Sequence, residues 1–495
     1  MYPGHIPFGP SVGSNGDLDG GAYGGDVSMS QFIFTDTNEF RKAVTAGNYE
    51  TDVKTFTGGR ALALQSIEPT LLRTIQEDKH FVFFNKLTAT NAGSTVDEFT
   101  IKTAIGGYPG STFNSEMGDI ADTQGTYSRQ VGLVKFLMTK REVSVVQQSQ
   151  KTLVDTIAEE KVDAARELKT SVEWASFFGD STVNPLEFDG LFAIINTTND
   201  SDLIKDARGK GLSYVAQEVI DLAAAVAGQG RYGTITDVFC SLAVKAAEFD
   251  QKLDPAFRTG GGNQKVGTPV DGVKTSNGEV AINQDVFIQE AEMPFAARPA
   301  PFPAITTGSA APVAPTIAGV AGANAASKFT SEHAGNYYWA VEAISKAGRS
   351  PLALSAQVVT ASGDRVVVTV THGADNANVA TGFAIYRSRK NGTNAPADFR
   401  LVARVARAAG ATTVYNDDNQ NVPGTSPVFL VNMSPGAQAV QLRRLLPMTM
   451  FPLYPTSKAS RPWAQLLFCY LRVAKTKHIA MVKNVLPGNA SWKPF

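Results

Sequence analysis

Apolar and polar residues alternate in two runs between Phe81 and Val146. "DEFTIKTAIGG" places β-branched and apolar residues at every second position, and "YSRQVGLVKFLMTKREVSVV" does so at greater length, which is the period of strands. Between them, "GGYPGSTFNSEMGDIADTQG" is turn chemistry with little to pack. The pattern predicts a long hairpin with a polar, Gly-rich tip. It needs support from elsewhere, because an isolated two-stranded ribbon is marginal in water. The period then changes. In "KTLVDTIAEEKVDAARELKTSVEWASFFGD" the apolar residues Val154, Ile157, Ala158, Ala165, Leu168, Val172 and Ala175 recur at helical steps, with Glu159, Glu160, Lys161, Arg166 and Lys169 on the other face. Gly179 supplies the stop. At 1.5 Å per residue such a helix spans roughly 40 Å, the length of a strut.

Residues 211–257 read as two amphipathic helices, "YVAQEVIDLAAAVAGQG" and "SLAVKAAEFDQKL", around the apolar strand "TITDVFC". A further strand is expected around Val280–Ile288, and "MPFAARPAPFPAITTGSAAPVAPT" reads as a semi-rigid linker. From about 308 to 430 the alternation is that of an all-β sandwich: "YYWAVEAIS", "DRVVVTVTH", "TGFAIYRSRKNG", "FRLVARVA" and "TTVYNDDNQN" follow at hairpin spacing. Strands return in "AVQLRRLLPMTMFPLYP" and "WAQLLFCYLRVAKTKHIAMVKNV", the latter expected in the core. At the other end, residues 1–30 are rich in Gly, Ser and Asp and read as an extended arm. "QSIEPTLLRTIQED" (Gln65–Asp78) reads as a short helix entered at Pro69.

Composition adds limits. The 495 residues allow two or three cores, and a formal net charge of -1 gives no overall bias toward nucleic acid or anionic lipid. Cys240 and Cys469 stand in apolar contexts and read as buried, reduced residues. "MYPGHIPFGPSVGSNGDLDGG" has neither a positive n-region nor an apolar h-region, so no secretory signal is expected. No run of eighteen apolar residues predicts a membrane span.

Candidate chemistry is sparse. Gly179-Asp180-Ser181 opens like one esterase nucleophile motif, but the five histidines (His5, His80, His333, His372, His478) bring no partner motif. Asn15, Asp17, Asp19, Gly20 and Asp26 fall at calcium-loop positions one, three, five, six and twelve. The twelfth is Asp rather than a bidentate Glu and neither flank is helical, so Asp17, Asp19 and Asp26 read as part of a flexible arm. "TGGGNQK" lacks the strand and helix of a phosphate loop, and no zinc spacing occurs. No cofactor and no enzymatic activity are expected. Arg129, Lys135, Lys140 and Arg141 make a basic stripe on the return strand, either a solvated face or a set of partners for acids on a neighbouring subunit.

An arm, a long hairpin and a strut helix all reach beyond their own core, which is useful for gripping neighbours. That order of parts resembles the major capsid protein of tailed bacteriophages, the fold often named after phage HK97. "FFGDSTVNPLEFDGLFAII" (Gly179, Pro185, Gly190, Leu191) is similar to the family's junction after its spine helix, and "TDVFCSLAVKAAEFDQKLDP" to its axial-domain strand, turn and helix. The resemblance implies an α+β, HK97-like fold. Residues 1–60 would be the N-terminal arm, 61–148 the start of the peripheral domain with an extended loop at about 85–137, and 149–210 the spine helix with more of that domain. Residues 211–307 would be the α/β axial domain and linker, and 431–495 the return to the core. Residues 308–430 resemble a fibronectin type III or immunoglobulin-like module, with "YYWAVEAISKAGRSP" and "GFAIYRSRKNG" as two of its strands.

The resemblance further implies a homo-oligomer of hexamers and pentamers, assembled in a bacterial host's cytoplasm as the virion head. Double-stranded DNA would be packed inside, with a portal, decoration proteins and no membrane. No long charged helical segment precedes the arm, so a separate scaffolding protein is expected. Some family members cross-link the shell through a Lys–Asn bond; Lys135 and Lys140 are present, but no pair is identified. The rival readings are an encapsulin-type compartment, a modular adhesive or carbohydrate-binding protein, and a hydrolase using Ser181.

Overall fold

In a computed structural model the described residues are 75–495, except 109, 111, 121, 151–153, 199, 209–214, 251–269, 296–310, 346–347, 456–457 and 489. The arm and most of the short helix expected at Gln65–Asp78 lie outside them. The described end of that segment is not helical: Glu77 is extended, and a 3-10 turn begins at Asp78.

The alternating runs form β2 (Val96–Ala104) and β3 (Thr126–Leu133), paired antiparallel from Val96↔Leu133 to Ala104↔Thr126 in a sheet of two strands. The long return run is not one strand. At Val134, whose N–H donates to the Thr95 carbonyl at 2.9 Å, the chain leaves the hairpin. It continues as β4 (Lys135–Ser144) against β21 (Ser460–Val473). With β20 (Val440–Pro452) and β1 (Thr88–Asn91), these make a four-stranded sheet in the order β1-β20-β21-β4. Local alternation cannot register the switch, because the new partner lies more than three hundred residues away.

The strut helix, here α2 (Thr156–Phe178), has 23 residues, or roughly 34 Å. It starts later than its periodicity suggests because Asp155 caps it, accepting the N–H groups of Ile157 and Ala158 at 3.0 and 3.3 Å. Its inward face (Ala164, Leu168, Val172, Ala175, Phe177) is buried. Phe177 lies 5.5 Å from Phe429, and Phe83, from the short helix α1 (Val82–Lys86), lies 5.0 Å from both Phe177 and Phe239. Gly179 does end the helix, though not through a left-handed cap: its φ is -57°. A Cβ there would come within 2.3 Å of the Phe188 carbonyl oxygen, so glycine is required by backbone approach.

The second core is a six-stranded sheet in the order β5-β22-β19-β6-β8-β7. Its strands are Ile204–Asp206, Ile479–Val485, Ser426–Val431, Asp237–Cys240, Gly278–Gln284 and Gly272–Thr275, respectively. The helix α4 (Val215–Ala227) packs on it, with Val219 and Leu222 buried; α3 (Leu191–Thr198) follows the turn after Gly179. The expected strand at Val280–Ile288 ends at Gln284, where Asp285 caps a 3-10 turn. The apolar C-terminal run is two strands, β21 and β22, in different sheets. After Leu242–Val244, the second amphipathic helix continues as a π-helix over Lys245–Asp250.

The intervening strands form the sandwich. One sheet is β12-β11-β16-β17 (Gly348–Arg349, Trp339–Ser345, Gly382–Arg387, Arg400–Ala406) with β13 (Ala353–Leu354) on β11, and β10 (Gly335–Tyr337) pairs with β14 (Val358–Thr360). The other is β18-β15-β9 (Thr412–Asp417, Asp364–Thr371, Thr316–Ala323). Between them lie Trp339, Val341, Val366, Val368, Phe383 and Ile385. Every residue of β16 is buried, because its other face packs Ala384 and Tyr386 against Phe295 and Phe399. The chain is back in the six-stranded sheet by Ser426. Among the described residues no helix is long and apolar enough to cross a membrane.

Candidate subunit interface

The hairpin stands on one buried carboxylate. Arg443, on β20, grips Asp97 with Nε and Nη2, each at 2.9 Å, and the Tyr470 hydroxyl of β21 donates to it at 2.5 Å. Burial alone would raise the Asp97 carboxyl; the hydrogen bonds from Arg443 and Tyr470 outweigh it and hold the group below the usual carboxylate range. Gly132, on the opposite strand, leaves room for the Tyr470 ring, to which a Cβ would come within 2.3 Å. Arg472 lies over the Phe99 ring at 5.2 Å. The root of the ribbon is therefore fixed to the four-stranded sheet.

Beyond that root the ribbon has little of its own to pack on. Along one face, Val96, Val131, Leu133 and Tyr127 are exposed. The tip carries Ile105, Phe113, Met117 and Ile120, each 85–98% exposed, interspersed with Glu116, Asp119 and Asp122. The open face of the four-stranded sheet continues the apolar display with Phe136, Met138 and Phe451. Each such side chain would gain roughly 1.5–3 kcal/mol if fully buried. A monomer rarely shows so many together unless they are an interaction surface. Sequence reasoning missed the tip residues. Ile105 stands alone, and Phe113, Met117 and Ile120 recur at steps of four and three among Gly, Ser and Asp turn residues, so the stretch read as a tip with little to pack.

The basic stripe divides. Arg129 pairs across the ribbon with Glu98, and Lys140 lies 3.7 Å from Glu142; both remain well exposed. Lys135 Nζ donates to the Pro185 carbonyl at 2.6 Å. Arg141 reaches back to α2, 2.8 Å from Glu167 and 3.4 Å from Glu160, and so ties the sheet to the helix. The stripe is not one surface, because alternate residues of β4 face opposite sides.

Asp17, Asp19 and Asp26 lie outside the described residues, and among those described no group of three or more His, Cys, Asp and Glu could hold a metal ion. Ser181 follows the helix stop, its N–H donating to Asp189 at 2.8 Å. The described histidines bond elsewhere: His80 with the Glu77 N–H, His333 with Thr330, His372 with Thr413 and His478 with the Arg231 carbonyl. Cys240 and Cys469 are free and buried, and burial pushes both thiols up to about 12.

No protein-family model matches the chain. A provisionally named major capsid protein of Enterococcus phage phiEF24C is 26% identical over 90% of this chain and 94% of that protein. The major capsid protein of Staphylococcus phage K is 26% identical over 84% of this chain and 88% of that one. Among solved structures, the capsid of a native GTA particle aligns with 88% of this chain and 99% of its own, at 10% identity and a TM-score of 0.46. The architecture described above, a mixture of helices and several sheets, is consistent with an HK97-like capsid fold. The chain is a distant but broad match to the major capsid proteins of tailed bacteriophages.

Proposed function

We propose that this chain is the repeating subunit of a tailed-phage head, closing through hexamers and pentamers into an icosahedral shell around double-stranded DNA. The observation that carries the reading is the hairpin, fixed at Asp97 and displaying Phe113, Met117 and Ile120 to solvent at its far end. A neighbouring copy is the partner that every subunit of a shell has within reach. The tip would bury its apolar side chains on that copy, and contacts weak one by one would hold the shell through their number. The similarity to named phage capsid proteins supports this reading.

Arg129 and Lys140, whose pairs with Glu98 and Glu142 stay well exposed, would meet acids of a neighbour more readily than Lys135 and Arg141, which are bound to Pro185 and to α2. The sandwich would face outward, open to decoration proteins, with a portal and a separate scaffolding protein completing assembly in the host cytoplasm. A formal net charge of -1 suits an inner wall that does not grip DNA tightly.

Expression with a candidate scaffolding protein and negative-stain microscopy test the reading. Closed shells or hexameric sheets are expected from the natural sequence. The triple variant Phe113→Ser, Met117→Ser, Ile120→Ser should yield a folded subunit that does not assemble. A natural chain that stays a clean monomer with and without scaffold would sink the proposal.

A further inference from the structure

Two carboxyl groups meet in the interior where α2, the segment leading into the hairpin and the six-stranded sheet come together. Glu173, on the inward face of α2, and Asp285, just past β8, are both fully buried. Glu173 is held by backbone: Oε1 accepts the N–H of Phe83 at 2.8 Å and Oε2 that of Phe84 at 2.7 Å. Asp285 Oδ1 accepts the N–H of Phe287 at 2.8 Å. Its other oxygen, Oδ2, is buried and receives no hydrogen bond. Asp285 also faces the Phe83 N–H that Glu173 accepts, so the two carboxyl groups are neighbours around that amide.

The charged side chains of the surrounding elements are committed elsewhere. Lys169, one turn earlier on α2, pairs with Asp78 at 2.7 Å. Lys86, at the end of α1, pairs with Asp237 of β6 at 2.5 Å. Glu292, beyond the 3-10 turn, accepts from the hydroxyls of Ser241 and Ser426 at 2.5 and 2.6 Å. Among the described residues, no Lys, Arg or His pairs with Glu173 or Asp285. Two ionised carboxylates in such a place, with no cation, repel strongly. A proton between them removes one charge and supplies the donor that Asp285 Oδ2 lacks.

We propose that Glu173 and Asp285 share one proton that acts as a latch. While it is bound, α2, α1 and the six-stranded sheet are locked together, and its loss loosens that joint. Burial first, and then the neighbouring carboxyl, push Glu173 well above the usual carboxylate range; burial raises Asp285 as well. The proton belongs to the pair rather than to either residue. Between the ordinary carboxyl range and the pair's own value, the closed joint binds one proton more than the open one. The open fraction therefore rises with pH, about tenfold per unit within that window.

Hydrogen–deuterium exchange on the full chain tests this, read on a peptide covering residues 81–87 and corrected for the intrinsic pH dependence. From about pH 6 to about pH 9, protection of Phe83 and Phe84 should fall by up to about tenfold per unit, while β15 in the sandwich keeps its own. Asp285→Asn donates an N–H in place of the proton and cannot ionise, so only the burial of Glu173 is left and the fall should be clearly shallower. Protection independent of pH in the natural protein, or an equal fall in Asp285→Asn, would overturn the proposal. Should that variant fail to fold, infrared spectroscopy of the natural protein decides. A buried protonated-carboxyl band at neutral pH that fades on alkalinisation and persists in Glu292→Gln, which removes the other carboxyl raised by its burial, supports the latch, and absence of that band overturns it.

Discussion

The hairpin and the sandwich are written in the same period of two and end in opposite states. In the sandwich, β15 turns Val366, Val368 and Val370 inward, and all three are fully buried against the facing sheet. In the hairpin, Val96, Val131 and Leu133 alternate as regularly and stay exposed. The difference is the second layer. The sandwich carries its own, in β11, β16 and β17; the ribbon has none beyond its root. Alternation encodes which face of a strand is apolar, and the rest of the chain, or another copy, determines what covers it.

The comparison breaks most sharply at the polar groups each region buries. Arg387 is 2% exposed and lies between Asp417 at 2.7 Å and Asn419 at 2.6 Å, with Trp339 Nε1 donating to the same Asp417 oxygen at 3.0 Å. Arg387→Ala leaves that carboxylate buried without its cation and should cost about 3–5 kcal/mol in urea unfolding. The sandwich strands should exchange first while the hairpin keeps its protection. A loss under 1 kcal/mol would mean that solvent reaches the site. At the hairpin root, Asp97→Ala removes the acceptor of Arg443 and Tyr470 and should cost roughly 1.5–3 kcal/mol. Here exchange should rise along Val96–Ala104 and not in β15, and unchanged exchange in β2 would show that the ribbon is held by something other than Asp97.

How much of this was legible in the sequence follows the same line. Leu168, Val172 and Ala175 announced their helix because the signal lies within one turn of itself. Glu173, on that helix, gave no sign of burial, since its partners Phe83, Phe84 and Asp285 arrive from about ninety residues or more away. The sandwich strands were readable, their partners lying near in sequence. The single return strand expected through Val134 divides because β21 claims its second half. The basic stripe looked continuous as letters, yet Arg141 faces α2 while Lys140 faces away. Phe113, Met117 and Ile120 are spaced by four and three within Gly, Ser and Asp turn chemistry, so only their exposure revealed them as a display.

The smallest expected effect separates the two regions most cleanly, because one substitution is made twice. Valine to threonine keeps shape and exchanges a methyl for a hydroxyl. At Val368, fully buried in the sandwich, the hydroxyl has no obvious acceptor on an apolar face, and Val368→Thr should cost about 1–3 kcal/mol. At Val131, 57% exposed on the hairpin, the same exchange should change the subunit's stability by less than about 0.5 kcal/mol when measured below the concentration at which shells form. Above it, Val131→Thr should raise the subunit concentration needed for assembly, since the hydroxyl is then carried into a contact that the methyl suited. Equal losses for the two variants in the isolated subunit would show that the hairpin face is covered by its own chain. A loss for Val131→Thr that appears only on assembly would place the missing second layer on a neighbouring copy.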